Sequence, residues 1–177
     1  MDRSIASLGP VMQLAYVPHD FDGALRFWTQ TMGAGPFFRL NHIAYERILY
    51  RGTPAQPDFS VAIGYWGDIQ IEIIQQHNDA PSIYTDWRDR GVEGLHHVCL
   101  SVDDIHHARA VCVEAGATVV QDVFLPAGVE AFYVDTGGGP GTMVEIIAPS
   151  AEMHGLFAMM RDAARDWDGT DPVRVLG

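Results

Sequence analysis

The chain contains no lysine. Its eleven basic residues are all arginines, set against 23 acidic ones, for a formal net charge of −12. No arginine-rich cluster breaks that balance. A nucleic-acid surface needs positive charge to displace counterions, so neither nucleic acid nor an anionic membrane is an expected partner. No apolar run approaches the roughly 18–20 residues that span a bilayer. The opening "MDRSIASLGP" lacks the apolar centre of a secretory leader. Cysteine is scarce: Cys99 and Cys112 both fall inside apolar-periodic segments and read as buried thiols. These absences together lead us to expect a cytoplasmic protein. Also missing are a Gly-x-Ser-x-Gly elbow and a phosphate loop, since no Lys-Ser or Lys-Thr follows "GGGPG" at 137–141.

What is present repeats itself. Hydrophobic residues make up 47% of the chain and charged residues 19%, a globular composition. "QLAYVPHDFDGALRFWTQTMGAG" from Gln13 and "HVCLSVDDIHHARAVCVEAGA" from His97 align at an offset of 84 (97 − 13). Asp20 then matches Asp104, and Ala24 matches Ala108. Each copy starts with a short alternating run, passes an N-capping Asp, continues as an amphipathic helix and closes at Gly33 or Gly116. Strand-like segments follow: "GPFFRL", "FSVAIGYW" and "IQIEIIQ" in the first copy, the last two joined by a tight turn at Gly67-Asp68. The second copy has "TVVQDVF", "EAFYVDT" and "TMVEIIA", with "GGGPG" as its last hairpin connection.

The expected fold is therefore α+β, built from paired βαβββ modules. One domain at 9–150 would comprise module 1 (9–76) and module 2 (95–150). The linker at 77–94 would hold a short helix from about Pro81 to Arg90, and 151–177 a terminal helix and tail. Met153, Leu156, Phe157 and Met160 recur there at helical spacing, a stripe that must cover the sheet or a partner subunit. A homodimer is the expected assembly, and Asp168 onward the expected mobile tail. Asn41 to Asp58 has no counterpart in the second copy and is expected to set specificity.

Strand side chains alternate between faces. Met12, Leu14 and Tyr16 should therefore pack beneath a helix, with Gln13, Ala15 and Val17 opposite. Val98, Leu100 and Val102 similarly oppose His97, Cys99 and Ser101. Gln70, Glu72 and Ile74 share one face, and Met143, Glu145 and Ile147 another. Gln13, Glu72, His97 and Glu145 thus occupy corresponding positions opposite the helix-packed faces. Taken singly, a strand Glu is usually solvated and a strand His usually a hydrogen-bonded core residue. The duplication changes that balance, because all four can coordinate a cation. Two carboxylates in one cleft would cost several kcal/mol each without compensation. One imidazole, one amide oxygen and two carboxylates suit Zn²⁺, Ni²⁺, Co²⁺, Mn²⁺ or Fe²⁺ with open water positions. Alternation directs His96 away from His97, and leaves His106 and His107 on a helix surface.

These residues carry a resemblance. "GLHHVCLSVDDI", the two "EII" strands and the double module resemble the vicinal oxygen chelate superfamily, the relatives of glyoxalase and methylmalonyl-CoA epimerase, over Gly9 to Ser150. The resemblance implies a cupped mixed sheet around a divalent metal. The epimerase pattern has histidine at the position of Gln13 and an amide at that of Glu72. The set Gln, Glu, His, Glu is similar instead to that of animal-type glyoxalase I.

The function expected is a metal-dependent lyase, isomerase or epimerase acting on a small molecule with a carbonyl or thioester. The ion would polarise the substrate oxygen and stabilise an enolate or enediolate. Glu145 is the first candidate to move the proton, with Glu72 as its rival. A ring-cleaving dioxygenase fits less well, because an Fe²⁺ facial triad needs two histidines and one carboxylate. A metal-free binding protein for a hydrophobic ligand is the alternative from a different class. Its candidate lining is Phe37, Phe38, Tyr65, Trp66, Phe132 and Tyr133, although any single one of these is better read as core. Arg39, Arg47 and Arg51 are placed near the cleft mouth, where they could meet an anionic substrate or remain solvated.

Overall fold

The computed structural model of the chain describes residues 4–176. Both copies of the repeat fold as the alternation predicts. In the first, β1 (Gln13–Tyr16) leads into α1 (Phe21–Arg26), whose last turn continues as a π-helical turn at Phe27–Thr31. The copy is completed by β2 (Phe37–Leu40), β5 (Phe59–Trp66) and β6 (Ile69–Gln76). Between β2 and β5 lies a hairpin of β3 (Arg47–Tyr50) and β4 (Thr53–Ala55). After the linker helix α2 (Ile83–Asp89), the second copy runs β7 (Leu95–Ser101), α3 (Ile105–Glu114), β8 (Thr118–Phe124), β9 (Glu130–Asp135) and β10 (Met143–Ala148). A terminal helix, α4 (Ala151–Ala164), precedes β11 (Val173–Leu176).

The capping chemistry read from the sequence is in place. The Asp20 carboxylate accepts from the Gly23 amide, and Asp104 accepts from the amides of His106 and His107. Gly33 and Gly116 adopt the left-handed conformation that ends each helix at little steric cost.

The strands form one eleven-stranded sheet in the order β11-β2-β5-β6-β1-β7-β10-β9-β8-β3-β4. The two copies meet where β1 pairs antiparallel with β7. Outward from that seam each copy repeats the same pairing: β1 is parallel to β6, and β7 is parallel to β10. The β3–β4 hairpin leaves its own copy and adds to the far edge of the other, β3 pairing antiparallel with β8. The segment without a counterpart thus lengthens the sheet beyond the duplicated plan.

Helices α1 and α3 cover one face. Phe21, Leu25 and Trp28 pack with Phe37, Ile71 and Ile73, while Ala108 and Cys112 pack with Leu100, Phe132 and Ile146. The opposite face forms the third and largest apolar cluster. Gly64 in β5 shows how tight the α1 layer is. A β-carbon there would lie 2.9 Å from the buried ring of Phe37. Gly64→Ala should therefore destabilise the fold by about 1–3 kcal/mol through overpacking, measured as a lower denaturation midpoint with an unchanged urea dependence.

One expectation about the chain's end needs correction. The segment after Asp168 is not a loose tail. Its alternating "VRVL" extends the sheet as β11, parallel to β2, and the indole N–H of Trp167 donates to the Thr170 carbonyl. The apolar stripe of α4 covers the sheet, the first of the two coverings expected for it. Met160 is fully buried, and Met153, Leu156 and Phe157 pack on the largest cluster of their own chain.

Candidate functional site

The face of the sheet opposite α1 and α3 encloses a cavity of about 750 Å³, walled by strands of both copies and by α4. Strand register explains what lies on its floor. One row across the sheet reads Tyr65, Gln70, Gln13, Cys99, Glu145, Tyr133. The neighbouring row reads Ile63, Glu72, Ala15, His97, Met143. The residues between each pair of long polar side chains are small: Cys99 between Gln13 and Glu145, and Ala15 between Glu72 and His97. That leaves space above the seam into which the four side chains can lean.

Three of the four converge. The ligating atoms of Glu72, His97 and Glu145 lie within 4.8 Å of one another. His97 Nε2 is 3.1 Å from Glu145 Oε2 and 3.8 Å from Glu72 Oε2. Donors about 2.1 Å from a common ion can be no more than about 4.2 Å apart, so both separations suit a shared cation. Gln13 lines the same cavity. Its side-chain N–H donates to Gln70 Oε1 at 2.6 Å, and Gln70 in turn donates to the Tyr65 hydroxyl at 2.9 Å. That chain fixes the amide so that Gln13 Oε1 is buried with no hydrogen-bond partner. A buried acceptor without a donor is costly in any protein, and a cation would satisfy it.

The protonation of the imidazoles follows from their partners. His96 Nε2 faces the Ile83 carbonyl at 3.3 Å, which can only accept, so that nitrogen carries the proton. Burial, with the charge of His97 second, lowers the His96 pKa to about 3 and keeps the ring neutral. Its Nδ1 therefore accepts from His97 Nδ1–H at 2.8 Å. With Nδ1–H committed to His96, His97 Nε2 faces both carboxylates and meets them through a proton or a cation. Glu72, His97 and Glu145 thus fit a divalent metal by their spacing, and Gln13 by residue type and its orphaned oxygen.

Glu72 reflects the same crowding. Burial, and then the charge of Glu145, hold its carboxyl well above the usual carboxylate range. Cys99, at the centre of the floor, is driven the same way by burial and by both glutamates, so it stays a thiol and is no nucleophile. Tyr84 and Tyr133 line the wall with hydroxyls 3.4 Å apart, and burial raises both well above their usual value.

Several expectations are corrected here. His96 does not point away from His97. The β1–β7 register slips between Ala15 and Tyr16, giving β7 an extra residue, and strict alternation fails at that bulge. Met12, just ahead of β1, lines the cavity instead of packing under α1. Among the six aromatics offered as lining, only Tyr133 does so. Phe37 and Phe132 pack beneath the helices, Phe38 and Tyr65 are core, and Trp66 is half exposed. None of the three arginines borders the cavity. Arg39 donates to Asn41, Arg47 stacks on Phe124, and Arg51 pairs with Asp86 beside a smaller hollow behind His96. Conversely, Tyr84 from the linker helix borders the site without any sequence signal that would have put it there. Gln70 did carry one, since it shares a strand face with Glu72.

Comparison with known proteins bears on the fold. Solved structures superpose over most of the chain. Methylmalonyl-CoA epimerase from Mycobacterium tuberculosis gives a TM-score of 0.57 at 12% identity, covering 88% of this chain and 96% of that one. A Streptomyces coelicolor methylmalonyl-CoA epimerase variant in complex with 2-nitronate-propionyl-CoA gives 0.56 at 15% identity, covering 81% and 96%. A hypothetical protein from Bacillus halodurans C-125 gives 0.56 at 14% identity, covering 80% and 94%. Identities this low speak to the fold alone. Comparison with curated proteins gives no match. The sequence pattern of one family does match, over residues 12–134, and with the duplicated modules and their shared seam it establishes that the chain belongs to the Glyoxalase/Bleomycin resistance protein/Dioxygenase superfamily.

Proposed function

We propose that this protein is a metal-dependent lyase or isomerase that moves a proton at a carbon next to a carbonyl. The observation that carries the reading is the cluster of ligating atoms: His97 Nε2, Glu72 and Glu145 within 4.8 Å, with the orphaned Gln13 Oε1 on the same cavity floor. Gln13, Glu72, His97 and Glu145 would hold a divalent ion, within a single unit spanning 9–150. The ion supplies Lewis-acid polarisation of the substrate oxygen, which makes the adjacent C–H acidic. The protein's own groups do the rest. Glu145 takes the proton from carbon and returns it, while Glu72 keeps the floor charge-balanced.

The similarity to structures of methylmalonyl-CoA epimerases supports the proton-transfer class, because one of them is described in complex with a CoA thioester analogue. The test is metal analysis of protein purified without chelator, followed by incubation in D₂O with a panel of 2-oxo compounds and acyl thioesters. Deuterium should enter at an α-carbon of at least one compound. A metal-loaded protein that exchanges nothing across the panel would overturn the proposal. The apolar cavity favours one other reading, a metal-free binder of hydrophobic molecules, which the same analysis separates by metal stoichiometry.

His96 is a positioning residue in this scheme, acting only through His97. His96→Phe keeps a ring between Tyr84 and Trp87 but cannot accept from His97. Metal affinity should fall by about 10–100-fold, with metal-free protein losing about 1–3 kcal/mol of stability from the unpaired His97 Nδ1–H. Equal affinity in titrations of the two proteins would show that His96 merely fills space.

A further inference from the structure

The cavity's lining bears on what enters it. Apart from the floor, its walls are aliphatic and aromatic: Leu40, Ile43, Phe59, Val61 and Val123 on the strand side, with Leu156 and Phe157 across from them on α4. Among the lining residues the charged groups are Glu72, Glu145 and, at the rim, Glu152; among the described residues no arginine borders the cavity, and the chain has no lysine. Nearby arginines are committed elsewhere, Arg161 over the outer face of Tyr65 and Arg174 over Phe38. The floor offers no surplus positive charge either. Two carboxylates balance one divalent ion, and the other two donors, an amide and a neutral imidazole, add nothing. An anionic group brought into this space would lose its hydration and meet no counter-charge, at a cost of several kcal/mol.

Resting on the proton-transfer reading, we infer that the substrate is a neutral, predominantly hydrophobic carbonyl compound. Its whole body, not only the reacting carbonyl, lies inside the cavity beneath α4. A volume of about 750 Å³ falls in the range that encloses drug-sized ligands. It is far larger than a short acyl group requires. Dicarboxylic acyl groups and anionic conjugates are excluded by charge, and the net charge of −12 opposes their approach as well.

Two dyes of nearly equal shape test this on the intact, metal-loaded protein. N-phenylnaphthylamine is neutral; anilinonaphthalenesulfonate is its anionic counterpart. The neutral dye should bind with blue-shifted emission, and the sulfonate at least about tenfold more weakly. Leu156→Arg, on α4 and outside the metal cluster, should narrow or reverse that preference by supplying the missing cation. A long arginine can reach the rim, and Met153→Arg provides the same test from the neighbouring turn. Equal or tighter binding of the sulfonate by the unaltered protein overturns the inference, as does failure of the neutral dye to bind. The two levels fail separately. Absence of metal with the dye preference intact removes the enzymatic reading and leaves the apolar ligand class standing. Deuterium exchange confined to anionic acyl thioesters does the reverse.

Discussion

Glu145→Gln should give a folded protein whose solvent-exchange activity is reduced on the order of 10²–10⁴-fold. The residue is 7% exposed, on a central strand and directly across from Cys99, so an isosteric amide fits without repacking. One oxygen remains to meet the ion, but the amide cannot accept a proton from carbon. The loss should therefore fall on the turnover number more than on substrate affinity. Metal content should stay near that of the parent and the denaturation midpoint should change little. Glu72→Gln is the comparison. It weakens charge balance, so its main effect should be on metal affinity, with exchange partly recovered at high metal concentration. If saturating metal restores the Glu145 variant but not the Glu72 variant, the proton-transfer role passes to Glu72.

The division of labour between these two glutamates is beyond what sequence can express, although their meeting was not. The duplication placed Gln13 opposite His97 and Glu72 opposite Glu145. Period-two alternation then set all four on one face, a conclusion that needs only local backbone geometry. Ala15 and Cys99 belong to the same pattern, as small residues at equivalent positions that keep the centre open. What stayed hidden depends on distant partners. The bulge that turns His96 back onto His97 arises from the β1–β7 pairing, between segments some eighty residues apart (97 − 15), and nothing around His96 signals it. The β3–β4 hairpin joins β8 of the other copy, a choice of edge made by the assembled sheet. The stripe on α4 showed that the helix would be covered, not by what. Its own cavity takes Met153, Leu156 and Phe157, so the stripe supplies no support for a dimer.

The crowding of carboxylates also predicts how the metal-free protein responds to pH. Burial and the charge of Glu145 raise the folded pKa of Glu72 well above its ordinary 4.5. Between the unfolded and folded values the native state therefore holds a proton that the unfolded chain has released. Stability from this group is complete below about 4.5 and is lost as pH rises through the window, with a slope of at most about 1.4 kcal/mol per pH unit. His96 acts in the opposite direction. Its pKa is lowered from 6.5 to about 3, so its contribution is lost as pH falls through that interval. The two overlap between 4.5 and 6.5 and partly cancel in the unaltered protein. The difference between that protein and Glu72→Gln isolates the glutamate, because His96 is common to both. In metal-free samples the variant should gain relative stability steadily as pH rises above 4.5, read from urea denaturation at half-unit steps. Saturation with Zn²⁺ or Ni²⁺ should abolish that gain, since a bound cation keeps Glu72 ionised and makes the carboxylate an asset to the fold. A difference curve that is flat without metal would mean that the two acids do not share one desolvated site, and the metal centre would lose its physical basis.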